Sequence, residues 1–342
     1  MTKRTNNLDV IFERVKAILS EARAKAWQAV NSAMVVSYWE IGRIIVTEEQ
    51  KGQSRAEYGK KIISSLAQKL SDEFGKGFDE RNLWFIRSFY VAYPKMNALR
   101  SELSWTHYRL LLRVEKPEAR TFYEIETVNA RWSTRELERQ INSLLFERLA
   151  LSRDKKSVLK LVQKGHEIST PADLVKDPYV LEFTGIPQTD RFFEKDLEQA
   201  LIDKLQHFLL ELGKGFAFVA RQQRITLDGR HFFIDLVFYN RLTRSFILID
   251  LKVGEIAHQD LGQMQMYVNY YQREMMAEGE NPPIGIVLCA DKSDAVVRYT
   301  LPKGNKRIFA SRYKLYLPSE DELKKELLRE KQEIEMQKRL GS

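Results

Sequence analysis

Residues 231–254 read HFFIDLVFYNRLTRSFILIDLKVG, two strongly apolar runs that carry three charges, Asp235, Asp250 and Lys252. Runs this rich in Phe, Ile, Val, Leu and Tyr predict strands. Successive strand side chains alternate between faces, so Asp250 and Lys252 project from the same side. An unpaired carboxylate buried in an apolar sheet is costly, and it either takes up a proton or gains a partner. For two nearby acids and a lysine, the natural partner is a divalent cation held by oxygen ligands.

The surrounding sequence supplies the rest of a fold. RQQRITL and HFFIDLVFY flank Asp228-Gly229, a strong two-residue hairpin signal. Asn240 to Arg244 joins the second strand to the third. Upstream, Leu197, Leu201, Leu205, Phe208 and Leu212 recur at helical spacing, and Gly213 marks the helix end. Downstream, a helix is predicted from about Ala257 to Ala277, stopped by Pro282 and Pro283, and IGIVLCA reads as a fourth buried strand. The predicted order is helix, three strands, helix, strand.

That order, with an acid on the second strand and Asp-x-Lys on the third, resembles the PD-(D/E)-x-K nuclease superfamily and its restriction-endonuclease-like fold. The motif falls on Asp235 and on Asp250-Leu251-Lys252. Ile234 stands where the superfamily has its proline, and the third-strand acid is Asp rather than the commoner Glu; neither change removes a ligand oxygen. Gln263 and Tyr267 fit the Gln-x-x-x-Tyr signature of RecB-like nucleases, and Glu198 lies where many members keep a first-helix acid. Glu194 sits one turn earlier at nearly the same helical angle and competes for that place. The phrases YGKKII, FGKGF, LSWTHYRLLLRV, LEFTGIP, GFAFVARQ and LGQMQMYVNYY make the chain, from about residue 10 to 317, similar to the YhcG-type family, which joins an N-terminal helical domain to such a nuclease domain.

The resemblance implies a Mg²⁺- or Mn²⁺-dependent deoxyribonuclease, with a link to restriction, repair or defence against mobile elements. Asp235, Asp250 and the carbonyl of Leu251 would hold the metal, Glu198 would contribute directly or through water, and Lys252 would stabilise charge in the transition state. Arg221, Arg224, Gln263 and Tyr267 are the candidate nucleic-acid contacts around that cleft. Two alternatives stand beside this reading: a nucleic-acid-binding protein that keeps the fold but cleaves weakly or not at all, and an assembly subunit built on the N-terminal helices.

Composition bounds these readings. A chain of 342 residues suggests two domains, and 44% hydrophobic residues suffice for packed cores. A net charge of +8 and a pI near 9.3 favour a polyanionic partner over an acidic protein substrate. Cys289 is the single cysteine, so disulfides and thiolate zinc sites are excluded and a reducing cytoplasm is expected. The five histidines show no metal spacing, and no phosphate-binding Gly-x-x-x-x-Gly-Lys-Ser/Thr loop occurs. MTKRTNNLDV lacks an apolar signal core, and no apolar run approaches the roughly 20 residues of a membrane span.

Residues 1–150 predict an all-helical domain that binds DNA or a partner. Helices are expected after Asp9, over Trp27–Val46, Tyr58–Phe74 and Leu83–Tyr93, after Ser104, and from the capping box Ser133–Glu136 to about Leu149. LSDEFGKGFDERNLWFIRSFY joins two of them through a glycine turn in the layout of a helix-turn-helix, with Lys76, Arg81 and Arg87 placed to meet phosphates. An ordinary bundle corner with Trp84, Phe85 and Phe89 in the core is the competing reading. Residues 151–175 read as a linker, 176–320 as the nuclease domain, and 321–342 as a charged C-terminal helix with a thin stripe of Leu323, Leu327 and Ile334, either solvated or paired with a second protomer.

Overall fold

The computed structural model describes residues 7–51, 56–75, 77–151, 155–187, 192–319, 321–323 and 325. Lys76 and most of the expected C-terminal helix lie outside the described residues. The chain divides into two compact units, Met1–Glu138 and Arg139–Ser342. Among the described residues, no helix is long and apolar enough to cross a membrane.

The first unit is all helical: α1 (Asn7–Lys51), α2 (Ala56–Phe74), α3 (Glu80–Ala92), α4 (Trp105–Leu111) and α5 (Pro117–Ala130), followed by α6 (Thr134–Asn142), through which the division passes. Two expected helices are here one, because nothing between residues 7 and 51 breaks α1: it has no proline, and its glycine, Gly42, serves packing. A Cβ at Gly42 would stand 2.5 Å from the carbonyl oxygen of Ile86, so only glycine lets α3 approach this closely. Ile45 of α1, Ile63 and Ala67 of α2, and Leu83 and Ile86 of α3 form the core between them. Asp79 caps α3 by accepting from the Asn82 amide at 2.7 Å. The expected helix from Ser133 to Leu149 is interrupted where Leu144 takes φ 54°, and α7 (Leu145–Leu151) follows.

The second unit continues with α8 (Lys155–Lys164), β1 (Tyr179–Val180), α9 (Glu194–Asp203), α10 (Leu205–Leu212), β2 (Phe216–Leu227), β3 (Arg230–Asn240), β4 (Ser245–Glu255), α11 (His258–Tyr270), β5 (Ile284–Asp291), α12 (Asp294–Thr300) and β6 (Ile308–Lys314). The six strands form one sheet in the order β1-β6-β5-β4-β3-β2. β2, β3 and β4 are antiparallel neighbours; β4, β5, β6 and β1 run parallel. Both faces are covered, which explains the unbroken apolar runs of β3, β4 and β5. Leu197, Leu201, Phe208 and Leu212 of α9 and α10 pack on one face with Leu236, Phe238, Ile247, Ile249 and Leu251. Leu261, Met264, Tyr267 and Val268 of α11 pack on the other with Ile234, Val237, Leu248 and Val287.

This is the expected restriction-endonuclease-like domain, with differences of detail. Asp228 and Gly229 take φ 47° and 75°, as a tight hairpin turn between β2 and β3 requires. The single helix expected over residues 197–212 is broken at Lys204, and α11 ends at Tyr270 and passes into a π-helical turn, Tyr271–Met275. β6 was not expected, because Ser311 and Arg312 interrupt its apolar pattern; both bond within the sheet's surroundings, Ser311 to the Lys176 carbonyl and Arg312 to Asp177.

Candidate active site

The site forms where the central sheet forks. Backbone pairing between β3 and β4 runs from Asn240↔Ser245 to Leu236↔Ile249 and stops. Beyond that point β3 stays with β2, while β4 stays with β5 as far as Glu255. The first residues past the ladder are Asp235 and Asp250. In place of a backbone carbonyl, Asp235 itself closes the fork: its Oδ2 accepts from the Leu251 amide at 2.7 Å.

Its other oxygen, Oδ1, accepts from Gln222 Nε2 at 2.9 Å, and the same amide donates to Glu198 Oε2 at 2.6 Å. Gln222 takes φ 46°, the left-handed region that is uncommon for any residue but glycine, in the middle of β2. Such backbone conformations cluster at functional sites. Glu198 Oε1 in turn accepts from Arg221 Nε at 2.8 Å, and Arg221 Nη1 donates to Gln199 at 2.9 Å. The first-helix acid therefore faces β2 and joins Asp235 through Gln222.

Asp250 is 2% exposed. Strand alternation puts Lys252 on its side, and Lys252 Nζ stands 3.1 Å from Asp250 Oδ2. The contact is an ion pair, and beyond it that buried oxygen has no hydrogen-bond partner among the described residues. Lys252 is shared: Glu194 Oε2 lies 3.7 Å away and Asp260 Oδ1 3.8 Å. Acids therefore outnumber the one ammonium. Burial, followed by repulsion from Asp235, pushes Asp250 up to about 7 despite Lys252. Burial also raises Asp235, against the opposing hydrogen bonds from Leu251 and Gln222. Burial works against the charge on Lys252, but Asp250 and Glu194 more than offset it and hold its pKa up.

Among the described residues, no group of three or more His, Cys, Asp or Glu side chains is arranged to hold a metal ion. The donor chemistry of the fork nevertheless fits a hard divalent cation. Two carboxylates with raised pKa values meet there, and one of their oxygens is buried without a hydrogen bond. Glu198 is engaged by Arg221 and Gln222 and belongs to the fork's rim.

Gln263 Nε2 donates to the Tyr267 hydroxyl, which donates to the Phe233 carbonyl at 2.8 Å. This pair ties α11 to β3 two residues before Asp235, and Tyr267 is fully buried. Arg224 is exposed on β2. In the first unit, Arg81 is exposed at the start of α3, whereas Arg87 makes a forked ion pair with Glu49 at 2.8 and 2.9 Å. Sequence reading missed Gln222, Glu194's contact with Lys252, and Asp260. Asp260 left a trace, since an acid at the third position of α11 accepts from the Ala257 amide at 2.8 Å. Gln222 left none, because its partners follow from an irregular backbone.

Residues 172–328 match the family described as YhcG PDDEXK nuclease domain, and residues 14–148 match the DUF1016 N-terminal domain. The chain is 37% identical to the Escherichia coli (strain K12) protein named "Putative nuclease YhcG", with 93% of each chain covered. Among solved structures it resembles a repair endonuclease from Pyrococcus abyssi at 14% identity and TM-score 0.26, covering 39% of this chain and 50% of that one. The EndoMS-dsDNA2 complex is similar at 15% identity and TM-score 0.27, with the same coverage. Structural likenesses this slight carry no argument about activity. The identity across nearly the full length, and the two domain matches in order, decide the matter: the chain belongs to the YhcG family, a DUF1016 N-terminal domain followed by a PDDEXK nuclease domain.

Proposed function

We propose that this chain is a nuclease that hydrolyses DNA phosphodiester bonds with Mg²⁺ or Mn²⁺ at the β3–β4 fork. One observation carries the reading: half-buried Asp235 and buried Asp250, two mutually repelling carboxylates, share a single ammonium, Lys252, beyond which one buried oxygen of Asp250 has no hydrogen-bond partner among the described residues. A folded protein retains so unfavourable a group of charges where a cation or a substrate compensates it. Asp235, Asp250 and the Leu251 carbonyl would hold the metal, with Glu198 reaching it directly or through water. When bound, the cation supplies Lewis-acid stabilisation of phosphate charge and makes water easier to deprotonate.

The protein's own groups do the remaining work. Lys252 sets a positive charge beside the acids, where it neutralises charge that builds on the phosphorus oxygens, and its three donors can orient an attacking water. Asp260 and Glu194 hold that ammonium in the fork. Gln222 keeps Asp235 and Glu198 in fixed relation through one amide. Gln263 and Tyr267 brace β3, and Arg221, Arg224 and Arg81 are the candidate phosphate contacts. The basic net charge agrees with a polyanionic substrate. A cytoplasmic setting, and a part in restriction, repair or defence, go with this reading.

One observation favours a second reading, a DNA-binding protein that cleaves weakly: Glu198 is occupied by Arg221 and Gln222 rather than turned to the other acids. Labelled single-stranded, duplex and branched DNA, incubated with Mg²⁺, Mn²⁺ or EDTA, separates the two. The nuclease reading expects metal-dependent cleavage that EDTA and Asp250→Ala both abolish. Binding without cleavage on every substrate would favour the second.

A further inference from the structure

The β2–β3 hairpin runs past the fork as a two-stranded arm, since Arg230–Ile234 pair with β2 but not with β4. Its two faces differ. Ile225, Ile234 and Phe232 lie on the face packed into the α11 core. The register pairs Arg224 with Phe233 and Thr226 with His231. By strand alternation these residues share the opposite face. That face is open: Arg224, Thr226 and His231 are exposed, and Phe233 is 46% exposed.

A single exposed aromatic is ordinary on a protein surface. Phe233 differs by its neighbours. It lies two residues from Asp235 on one strand, about 7 Å along it, roughly the reach of one nucleotide. Arg224 is its cross-strand partner, and Arg230 is exposed at the arm's tip. Thr226 Oγ1 and His231 Nδ1 lie 2.9 Å apart, which fixes the imidazole at the outer end of the row. The Phe233 carbonyl is anchored by Tyr267, so the ring is presented from a held backbone. An aromatic face beside a guanidinium group, on the strand that carries Asp235, suits a base with its phosphate alongside. A base inside a continuous duplex is stacked on both sides and cannot offer its face to such a ring.

We propose that this face is a platform for an unpaired DNA strand. Phe233 stacks the base next to the scissile phosphate, while Arg224 takes a flanking phosphate. The preferred substrate then carries an unpaired nucleotide beside the cut, as in a single strand, a gap or a flap. This rests on the nuclease reading for where the cut falls, but the platform itself is read by binding alone.

The test uses the full chain in EDTA, where cleavage does not proceed, with a single strand carrying 2-aminopurine and the same strand in continuous duplex. Phe233→Ala is expected to weaken single-strand binding about tenfold, the loss of one stacked base, and to leave duplex binding unchanged. Phe233→Trp should restore affinity, and 2-aminopurine fluorescence should be quenched by wild type and by Phe233→Trp but not by Phe233→Ala. Equal effects on both substrates, no effect on either, or a wild type that binds no DNA overturns the platform. Cleavage in Mg²⁺ is scored separately. A wild type that cleaves, with Phe233→Ala affinity unchanged, sinks the platform and spares the nuclease; the reverse pattern sinks the nuclease and keeps the platform as a binding surface.

Discussion

Two groups of buried charge lie in the second unit, and they are built in opposite ways. Around Glu211, cations match the anion. Arg148 Nη1 donates to its Oε1 at 2.6 Å, Arg139 Nη1 to its Oε2 at 3.1 Å, and the Val180 amide to Oε1 at 3.0 Å. Lys176 donates to the Glu211 carbonyl, and Arg139 is also forked onto Glu182. Burial opposes the charge on Glu211, but Arg148, Lys176 and Arg139 together hold it down at about 2. At the fork, by contrast, acids outnumber the cation and Asp250 rises to about 7. Glu211 and Asp250 are both almost fully buried, so burial of a carboxylate does not by itself separate the two groups. What separates them is whether the fold completes the charge pairing itself. The Glu211 group is closed and ties Arg139, α7, α10 and β1 together; the fork is not closed in this way, and under the proposed function a cation or substrate completes it.

The largest expected effect lies at the fork. Asp250→Ala should reduce metal-dependent cleavage below detection while DNA affinity persists, and Lys252→Ala should slow cleavage by about 100- to 1000-fold, the usual cost of one preorganised charge. Single-turnover rates check both. Either variant cleaving at the wild-type rate would place the chemistry elsewhere.

Next comes stability, where the two groups should respond with opposite sign. Arg148→Ala leaves Glu211 buried with its strongest partner gone and should cost about 3 to 5 kcal/mol in denaturant unfolding. Asp250→Asn in metal-free protein should raise Tm at pH 8. The signs follow from linkage. Asp250 has a folded pKa of about 7 against an ordinary 3.8, so its contribution is full below about pH 4 and is lost as pH rises through 7. Glu211 has a folded pKa of about 2 against an ordinary 4.5, so its contribution is present above 4.5 and is lost as pH falls towards 2. Thermal melts from pH 3 to 9 should show Asp250→Asn flattening the decline between about pH 4 and 7 and leaving the acid limb due to Glu211 in place.

A smaller effect should accompany metal addition. Mn²⁺ or Mg²⁺ should raise the wild-type Tm more at pH 8 than at pH 6, because a proton on Asp250 competes with the ion. Asp235→Asn should remove most of that rise, and Arg148→Ala should keep it. A metal response that persists in Asp235→Asn would break the contrast between the two groups.

The smallest is expected in the first unit. Arg81→Ala should lower the slope of log affinity against log salt by about 0.9, one phosphate contact on duplex DNA. Arg87→Ala should leave the slope unchanged and lower Tm instead, because Glu49 already neutralises Arg87. Titrations at several salt concentrations distinguish them.

Much of this molecule was legible along the chain, because the relevant signals are local. Alternation in residues 231–254 placed Asp250 and Lys252 on one side, and their 3.1 Å contact follows from it. Asp228-Gly229 announced the turn, Ser133 and Glu136 bond reciprocally as a capping box, and the family phrases led to the family the chain belongs to. Where sequence reading slipped, a nonlocal preference had won. β6 stands at a place its own pattern does not predict, because β5 and β1 pair with it on either side. Leu144 and Lys204 break helices whose apolar spacing runs straight through them.

The sequence by itself determined the periodicities, the two-part organisation and the identity of the charged residues, since propensity and side-chain direction depend on near neighbours. Only the tertiary structure decided which charges are completed and which are not. Glu198 meets Arg221 across 23 residues, Asp235 meets Leu251 across 16, and Arg148 meets Glu211 across 63. The protonation of a buried carboxylate depends on such distant partners through burial and Coulomb interaction, and neither is written in the spacing of residues along a strand.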